Sequence, residues 1–362
     1  MCNYIMEGLA KEGYAITMIS TNFKGLNEFE RIRDVEIYRL SSKRKKSHQS
    51  NIREIRNWVK HAKQFLDAYL TYNSYSICIA NFLIPGGIVA RYLQEEYNIP
   101  YYIIYHAHDI PIPKISRMYL YHYLNRKKIR EICEHSKQNV FMSGDLKKMA
   151  DTFLGQELAS KSMLIPKGMD PENIPFDNIP GHTFRIMFVG RLIRQHDPHT
   201  LIRAMRVFNR KDVWAMALLF GDGSMKRKCI ELIGEYDLTE YVYMEGKVDR
   251  EDVITEYMYS AVAVVPSLRE GISLAVLEAV MSGCYLITTE SEHYKDLIIP
   301  GINGDFYPIG DHKKLERLLV NQYHRYMTGY KVPEHLVERY RKKFNIINTQ
   351  REYHKLTSSI LS

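Results

Sequence analysis

Two glutamates eight positions apart, Glu270 and Glu278, are the residues of this sequence whose types and spacing most suggest chemistry. An unbroken apolar run, Ala261–Val265, precedes them and predicts a buried strand. The pattern from Ile272 onward predicts a helix, so that Glu270 lies in the turn and Glu278 lies two turns into the helix. Such a strand, turn and helix place both carboxylates near the end of the strand.

The amino end of this predicted helix favours an anion, because its first backbone N–H groups have no partner inside the helix. The amides in question are those of Gly271, Ile272, Ser273 and Leu274. Carboxylates beside an anion site indicate a ligand that carries phosphates together with hydroxyl groups that need an acceptor.

Further polar residues follow other predicted strands of the same half. Arg191 and His196 come after FRIMFVG, and Gly221 and Gly223 belong to the GDG loop that closes the next strand. Strand ends of one open parallel sheet meet at one edge, so these groups would share a crevice. Each has a structural alternative: Arg191 in a surface ion pair, the glycines in a plain turn, and Glu278 as the partner of a neighbouring arginine. Together they favour a nucleoside diphosphate site.

The alternation of strand and helix patterns predicts two doubly wound α/β domains. The predicted boundaries are a first domain over 1–172, a turn-rich linker over 173–182, a second domain over 183–332, and a C-terminal helix over 333–362 that crosses back to the first domain. His106 lies at the end of a predicted strand in the first domain.

Composition excludes several classes of protein. The 362 residues carry a net charge of +8, and residues 1–172 hold 25 basic against 18 acidic side chains, so the charge belongs mainly to the first domain. No nucleic-acid recognition motif accompanies it.

The five cysteines lack CxxC spacing, which favours reduced thiols and a cytoplasmic location. No apolar run is long enough to span a membrane, and no cluster has the spacing of a metal site.

Taken together, these stretches resemble the family 4 retaining glycosyltransferases of the GT-B fold. The segments that carry the resemblance are VGRL, FGDGS, VYMEGKV, the stretch Val264–Gly283 with its two glutamates, and PGINGDFY, with weaker matches in YHAHD, MSGDL and IPKGMD. The resemblance implies two Rossmann-like domains that face each other across a cleft, the first on the acceptor side and the second binding the nucleotide sugar.

The resemblance also implies roles for the candidate residues. Glu270 would bind donor-sugar hydroxyls, Glu278 the ribose, and Arg191 the leaving diphosphate, while His106 would lie near the anomeric carbon. Donor contacts would come from His196, Gly221, Gly223, Lys247, Val248, Gly271, Ile272, Ser273 and Leu274. The implied reaction transfers a hexosyl unit from a UDP- or GDP-type sugar, as co-substrate, to a glycan or lipid-linked acceptor in cell-surface polysaccharide or glycolipid synthesis. It retains the anomeric configuration and needs no metal ion and no separate cofactor.

The sequence departs from the family pattern at several positions. A lysine is expected where His196 stands, and the turns at 283–285 and 292–293 differ from the family's. The family also opens with a strand and a glycine-rich loop, so the first domain here is expected to lack its N-terminal strand. These departures leave two alternatives open: a non-catalytic GT-B subunit that binds a donor nucleotide or a partner, and a GT-B epimerase or phosphorylase.

A basic stripe in the first domain suggests an anionic membrane surface as a further partner. Residues 43–63 contain KRKK and then a helical pattern in which Arg53, Arg56, Lys60 and Lys63 flank an apolar stripe, with Trp58 nearby. The prediction is a peripheral position on the inner face of the plasma membrane. The alternative is that the apolar stripe packs on the sheet and the cations are merely solvated.

Overall fold

The structure is a computed structural model that describes residues 2–23, 25–44, 50–106, 109–111, 119–176, 183–209, 214–268, 272–291 and 294–362. The chain divides into two compact units. Unit 1 comprises Met1–Gly168 and Ile346–Ser362, and unit 2 comprises Met169–Asn345. The division therefore falls a few residues before the predicted boundary at 172, and of the predicted linker, residues 177–182 lie outside the described residues.

Unit 2 is built on a parallel six-stranded sheet. Its strands are β8 (Phe184–Val189), β9 (Ala215–Phe220), β10 (Val242–Gly246), β11 (Val262–Val265), β12 (Tyr285–Thr289) and β13 (Gly304–Tyr307). They lie side by side in the order β10-β9-β8-β11-β12-β13. Numbered from β8, this is the order 3-2-1-4-5-6, which confirms the predicted doubly wound domain. The order reverses between β8 and β11, and a crevice at the carboxyl ends of these two strands is the expected ligand position.

Helices cover both faces of this sheet and bury its apolar strands. They are α7 (Pro198–Asn209), α8 (Lys226–Glu235), α9 (Arg250–Met258), α10 (Leu274–Met281), α11 (His312–Met327) and α12 (Glu334–Lys343). Side chains of β8, such as Phe184 and Ile186, enter one core, whereas Met187 enters the other. A buried strand with apolar side chains on both faces is typical of parallel sheets.

Unit 1 divides its strands between two sheets in the part of the chain that the structure describes. The strands are β1 (Ile16–Thr21), β2 (Phe29–Ile32), β3 (Val35–Leu40), β4 (Cys78–Asn81), β5 (Tyr101–Tyr105), β6 (Asn139–Phe141) and β7 (Ser162–Leu164). One sheet has the order β1-β3-β2 and the other has the order β4-β5-β6-β7. Among the described residues, both β1 and β4 are edge strands.

The helices of unit 1 are α1 (Cys2–Lys11), α2 (Ile52–Tyr69), α3 (Ile88–Tyr97), α4 (Tyr119–Leu124), α5 (Arg126–His135), α6 (Gly144–Leu154) and α13 (Ile346–Leu361). Asn51 begins α2 with a capping box, in which its side chain accepts from the Glu54 amide and its own amide donates to the Glu54 carboxylate. The residues predicted as one C-terminal helix form two, α12 in unit 2 and α13 in unit 1.

Candidate active site

The turn after β8 brings a cation and an imidazole to the switch point of the unit 2 sheet. Arg191 follows the strand and is exposed, and a short 3-10 turn, Arg194–His196, carries the buried His196. The Leu268 amide, beyond the end of β11, donates to the Gln195 carbonyl at 2.8 Å. This hydrogen bond joins the loops that follow the two strands flanking the switch point.

Gly190 makes room for the imidazole. A β-carbon built at position 190 would lie 3.3 Å from Nδ1 of His196, closer than most carbon contacts allow. The neighbouring Asp197 adopts the left-handed conformation with φ of 40° and accepts a hydrogen bond from the Thr200 hydroxyl at 2.6 Å. His196 is thus fixed at the start of α7 by a tight turn.

The glycines of the GDG loop have a packing function in this structure. A β-carbon at Gly221 would lie 1.9 Å from the Gly190 carbonyl oxygen, and one at Gly223 would lie 2.3 Å from the Leu192 carbonyl oxygen. The Gly221 amide also donates to the Gly246 carbonyl at 2.6 Å. The loops after β8, β9 and β10 therefore pack main chain against main chain, and this arrangement fixes the position of the Arg191 loop.

A methyl group at position 221 tests this packing. Because φ of Gly221 is +136° and the added carbon meets backbone atoms, we expect Gly221→Ala to lower the free energy of unfolding by about 3 kcal/mol. The matched control is Gly234→Ala in α8, where a β-carbon meets nothing within 4 Å; alanine there should be neutral or stabilising. Urea unfolding measures both, and equal stability of the two variants would contradict the packing function.

The amino end of α10 follows β11 and is capped by its own sequence. The Ser273 hydroxyl accepts a hydrogen bond from the Val276 amide at 3.3 Å. Ile272, Ser273 and Leu274 are half-buried. Of the predicted phosphate-binding stretch, Gly271 lies outside the described residues, as does the predicted sugar-binding carboxylate of Glu270.

Glu278 is buried in α10 and forms an ion pair with Arg250, the first residue of α9. Its Oε1 accepts from Nε of Arg250 at 3.0 Å. Burial raises the pKa of the Glu278 carboxyl, and the arginine opposes that rise. The sequence left open whether Glu278 pairs with a neighbouring arginine, and the structure contains that pair. The predicted contact with a ribose stays a prediction, and Arg250 is a site residue that the sequence did not identify.

Lys247 and Val248 follow β10 directly, next to the Gly246 carbonyl that receives the Gly221 amide. Lys247 is exposed, whereas Val248 is half-buried against the core on the α10 side of the sheet. This places them at the carboxyl edge of the same sheet. Their predicted contact with the base stays a prediction.

The candidate residue of unit 1, His106, follows β5 and stacks on an aromatic ring. Its ring centroid lies 4.0 Å from that of Phe82, with an interplanar angle of 27°. Phe82 has φ of 71° and begins an irregular turn, Phe82–Gly87, after β4. The second histidine of the motif, His108, lies outside the described residues.

A buried carboxylate, Asp109, holds these two loops together. Its Oδ1 accepts from the Leu83 amide at 2.9 Å and its Oδ2 accepts from the His106 amide at 2.8 Å. Burial raises the pKa of Asp109 to about 7, against the lowering effect of these backbone donors. Asp109 is the last residue of the YHAHD stretch and has no function predicted from the sequence; here it positions the His106 backbone.

The raised pKa of Asp109 predicts how stability depends on pH. The folded chain keeps a proton that the unfolded chain has lost, so the free energy of unfolding falls as pH rises from about 4 to about 7. We expect Asp109→Asn to remove most of this fall, which is on the order of 4 kcal/mol. Urea unfolding at a series of pH values measures it. Asp34→Asn, at an exposed position of unit 1, is the control. An unchanged slope in Asp109→Asn would contradict the assignment.

Comparison with known families identifies the class of protein. The family model of glycosyl transferases group 1 matches residues 169–343, and that of Glycosyltransferase Family 4 matches residues 1–173. Together they span nearly the whole chain, and the chain belongs to the family 4 glycosyltransferases of the GT-B fold. The predicted family and fold are thereby confirmed.

Individual relatives are distant. The chain is 26% identical to the putative colanic acid biosynthesis glycosyltransferase WcaL of Salmonella typhimurium, over 64% of this chain and 57% of that protein. Among solved structures it resembles sucrose-phosphate synthase from Thermosynechococcus elongatus, with a TM-score of 0.84, 19% identity, and coverage of 98% of this chain and 91% of that one. It also resembles Anabaena HepE in complex with UDP and glucose, with a TM-score of 0.72, 15% identity, and coverage of 95% and 99%.

Two properties of the described ranges bear on partners. Within them, no three side chains of His, Cys, Asp or Glu are grouped so that they could hold a metal ion. Likewise, none of the described helices has the length and apolar character needed to cross a bilayer.

Proposed function

We propose that this glycosyltransferase moves a hexosyl unit from a UDP- or GDP-sugar to an acceptor hydroxyl, with retention of anomeric configuration and without a metal ion. The proposal rests on one observation. Arg191, the His196 turn and the amino end of α10 all lie at the switch point of the unit 2 sheet. This edge offers a cation and helix-end amides for a diphosphate. The structure of Anabaena HepE in complex with UDP and glucose supports a nucleotide sugar as the donor.

In the proposed reaction, the bond between the anomeric carbon and the diphosphate oxygen breaks as the acceptor oxygen bonds to the same face of that carbon. The leaving phosphate oxygen takes the proton of the acceptor hydroxyl. Arg191 stabilises the negative charge that develops on the diphosphate, and Glu270 holds hydroxyls of the donor sugar. The predicted function of His106, in unit 1, stays a prediction. Catalysis then rests on preorganised charge stabilisation.

Glu278 is proposed to bind the ribose while it keeps its ion pair with Arg250. A carboxylate accepts several hydrogen bonds, so one oxygen can receive the guanidinium and the other a ribose hydroxyl. Arg250 opposes the rise in pKa that burial causes for the Glu278 carboxyl and so favours the ionised form, which is the stronger acceptor.

The acceptor is proposed to be a growing polysaccharide or a lipid-linked glycan, by similarity to the colanic acid protein.

The basic stripe of α2 supports contact with an anionic membrane by charge alone. Arg53, Arg56 and Lys60 are exposed, whereas Lys63 lies over the Tyr92 ring and Trp58 is half-buried with its indole N–H bonded to the Ser20 carbonyl. Of the KRKK stretch, Lys45 and Lys46 lie outside the described residues.

Donor binding tests the function of Glu278. We expect UDP, and the matching UDP- or GDP-sugar of a thermal-shift panel, to raise the melting temperature of the chain by mass action. Glu278→Gln should weaken UDP binding about 10- to 100-fold in calorimetry, because a charged acceptor is lost. The control is Glu256→Gln, which removes an ion pair with Arg185 near the amino end of β8. If Glu278→Gln lowers the melting temperature but leaves UDP binding unchanged, Glu278 has a structural function and does not bind the ribose.

Transfer activity tests Arg191. We expect Arg191→Ala to lower kcat about 100- to 1,000-fold, because a group aimed at the developing charge is removed. Arg317→Ala removes an exposed arginine of α11 and should leave kcat nearly unchanged. Release of UDP or GDP with product analysis gives the rates. A wild-type chain that binds donor and yields no transfer product would favour a non-catalytic subunit, and isomerised donor would favour an epimerase.

A further inference from the structure

Helix α4 of unit 1 presents large apolar side chains to solvent. Leu120, Tyr123 and Leu124 are 66%, 56% and 72% exposed. His122 on the same helix is buried, so α4 has an inner face that packs and an outer face that does not. Contiguous exposed apolar groups are uncommon on soluble domains and mark interaction sites.

Cations follow this apolar face directly along the chain. Arg126, Lys127 and Lys128 of α5 are exposed, and no acidic residue occurs between Tyr119 and Arg130. The segment therefore combines an apolar tip with three adjacent cations, and the nearest acidic side chains lie beyond Arg130 in α5. A protein partner with an apolar surface would not require these cations, whereas an anionic bilayer satisfies both features.

The apolar tip is continuous with a helix, α5, that packs in the core of unit 1. The amide side chain of Asn125 donates to the Tyr121 carbonyl at 2.7 Å, and the Ile129 amide donates to the Asn125 carbonyl at 2.9 Å. In α5, Ile129 and Ile132 are buried in the core. The exposed face is thus presented by a packed helix pair.

We propose that α4 and the first turn of α5 form a docking element for an anionic phospholipid bilayer. Leu120 and Leu124 enter the apolar boundary of the bilayer, Tyr123 lies among the head groups, and the three cations contact lipid phosphates. This surface differs from that of α2, because the apolar stripe of α2 packs inward and only its cations are exposed to solvent. A second copy of this chain fits less well, because a symmetric contact would place these cations against their own copies.

Vesicle co-sedimentation of the full chain tests the proposal without any donor or acceptor, so its outcome is independent of the transfer reaction. The chain should bind phosphatidylcholine vesicles that contain phosphatidylglycerol, and added salt should weaken binding. The double variant L120S/L124S and the double variant K127E/K128E should each reduce partitioning at least about tenfold. The control I309S/M327S changes two comparably exposed apolar residues of unit 2 and should bind normally.

A fluorescence measurement keeps the test informative if a variant folds poorly. Leu124→Trp should retain binding and shift its emission to shorter wavelength with anionic vesicles only. Two results would overturn the proposal: partitioning of L120S/L124S equal to that of the control, or a lipid-free dimer in analytical ultracentrifugation that L120S/L124S dissociates.

Discussion

The candidate site of unit 2 depends on a steric constraint: two loops pass each other with no space for a β-carbon between them. The Gly190 and Leu192 carbonyls occupy the positions that side chains at 221 and 223 would take. Since the Gly221 amide is bonded to the Gly246 carbonyl as well, the ends of three adjacent strands behave as one body. A cation held by such a framework needs little reorganisation when charge develops beside it.

Unit 1 also fixes a loop at a strand end, but it does so with a buried carboxylate. Asp109 uses its two carboxylate oxygens to tie the turn after β4 to the residue after β5, and the Phe82 ring supports the His106 imidazole. Here the constraint is polar and buried, so it depends on protonation, whereas the glycine packing of unit 2 does not. These two constraints therefore differ in their expected dependence on pH, although each fixes a loop at a strand end.

Much of the fold can be predicted from sequence because the signals are local. The strands of unit 2 are apolar runs bounded by turn residues, and their alternation with helices implies a parallel sheet. Strand β2 is not predicted, because FERI has charged residues and pairs only at a sheet edge. Helices are predicted near 116–135, and the described residues there form α4 and α5, with Asn125 between them.

The candidate site is less predictable, because its interactions join residues that are distant in sequence. Strand-end positions identify Arg191 and His196 as neighbours of one switch point. No spacing rule links Arg250 to Glu278, which lie on different helices, or assigns Leu83 as a donor to Asp109. The packing of Gly221 against Gly190 also requires coordinates, since a GDG sequence is equally compatible with an ordinary turn.

The ion pair between α9 and α10 has an evolutionary consequence. Loss of the guanidinium that pairs with a buried carboxylate is strongly destabilising, whereas replacement of both residues by an apolar pair of similar volume is tolerated. Homologues that keep the acid at position 278 are therefore expected to keep a base at position 250.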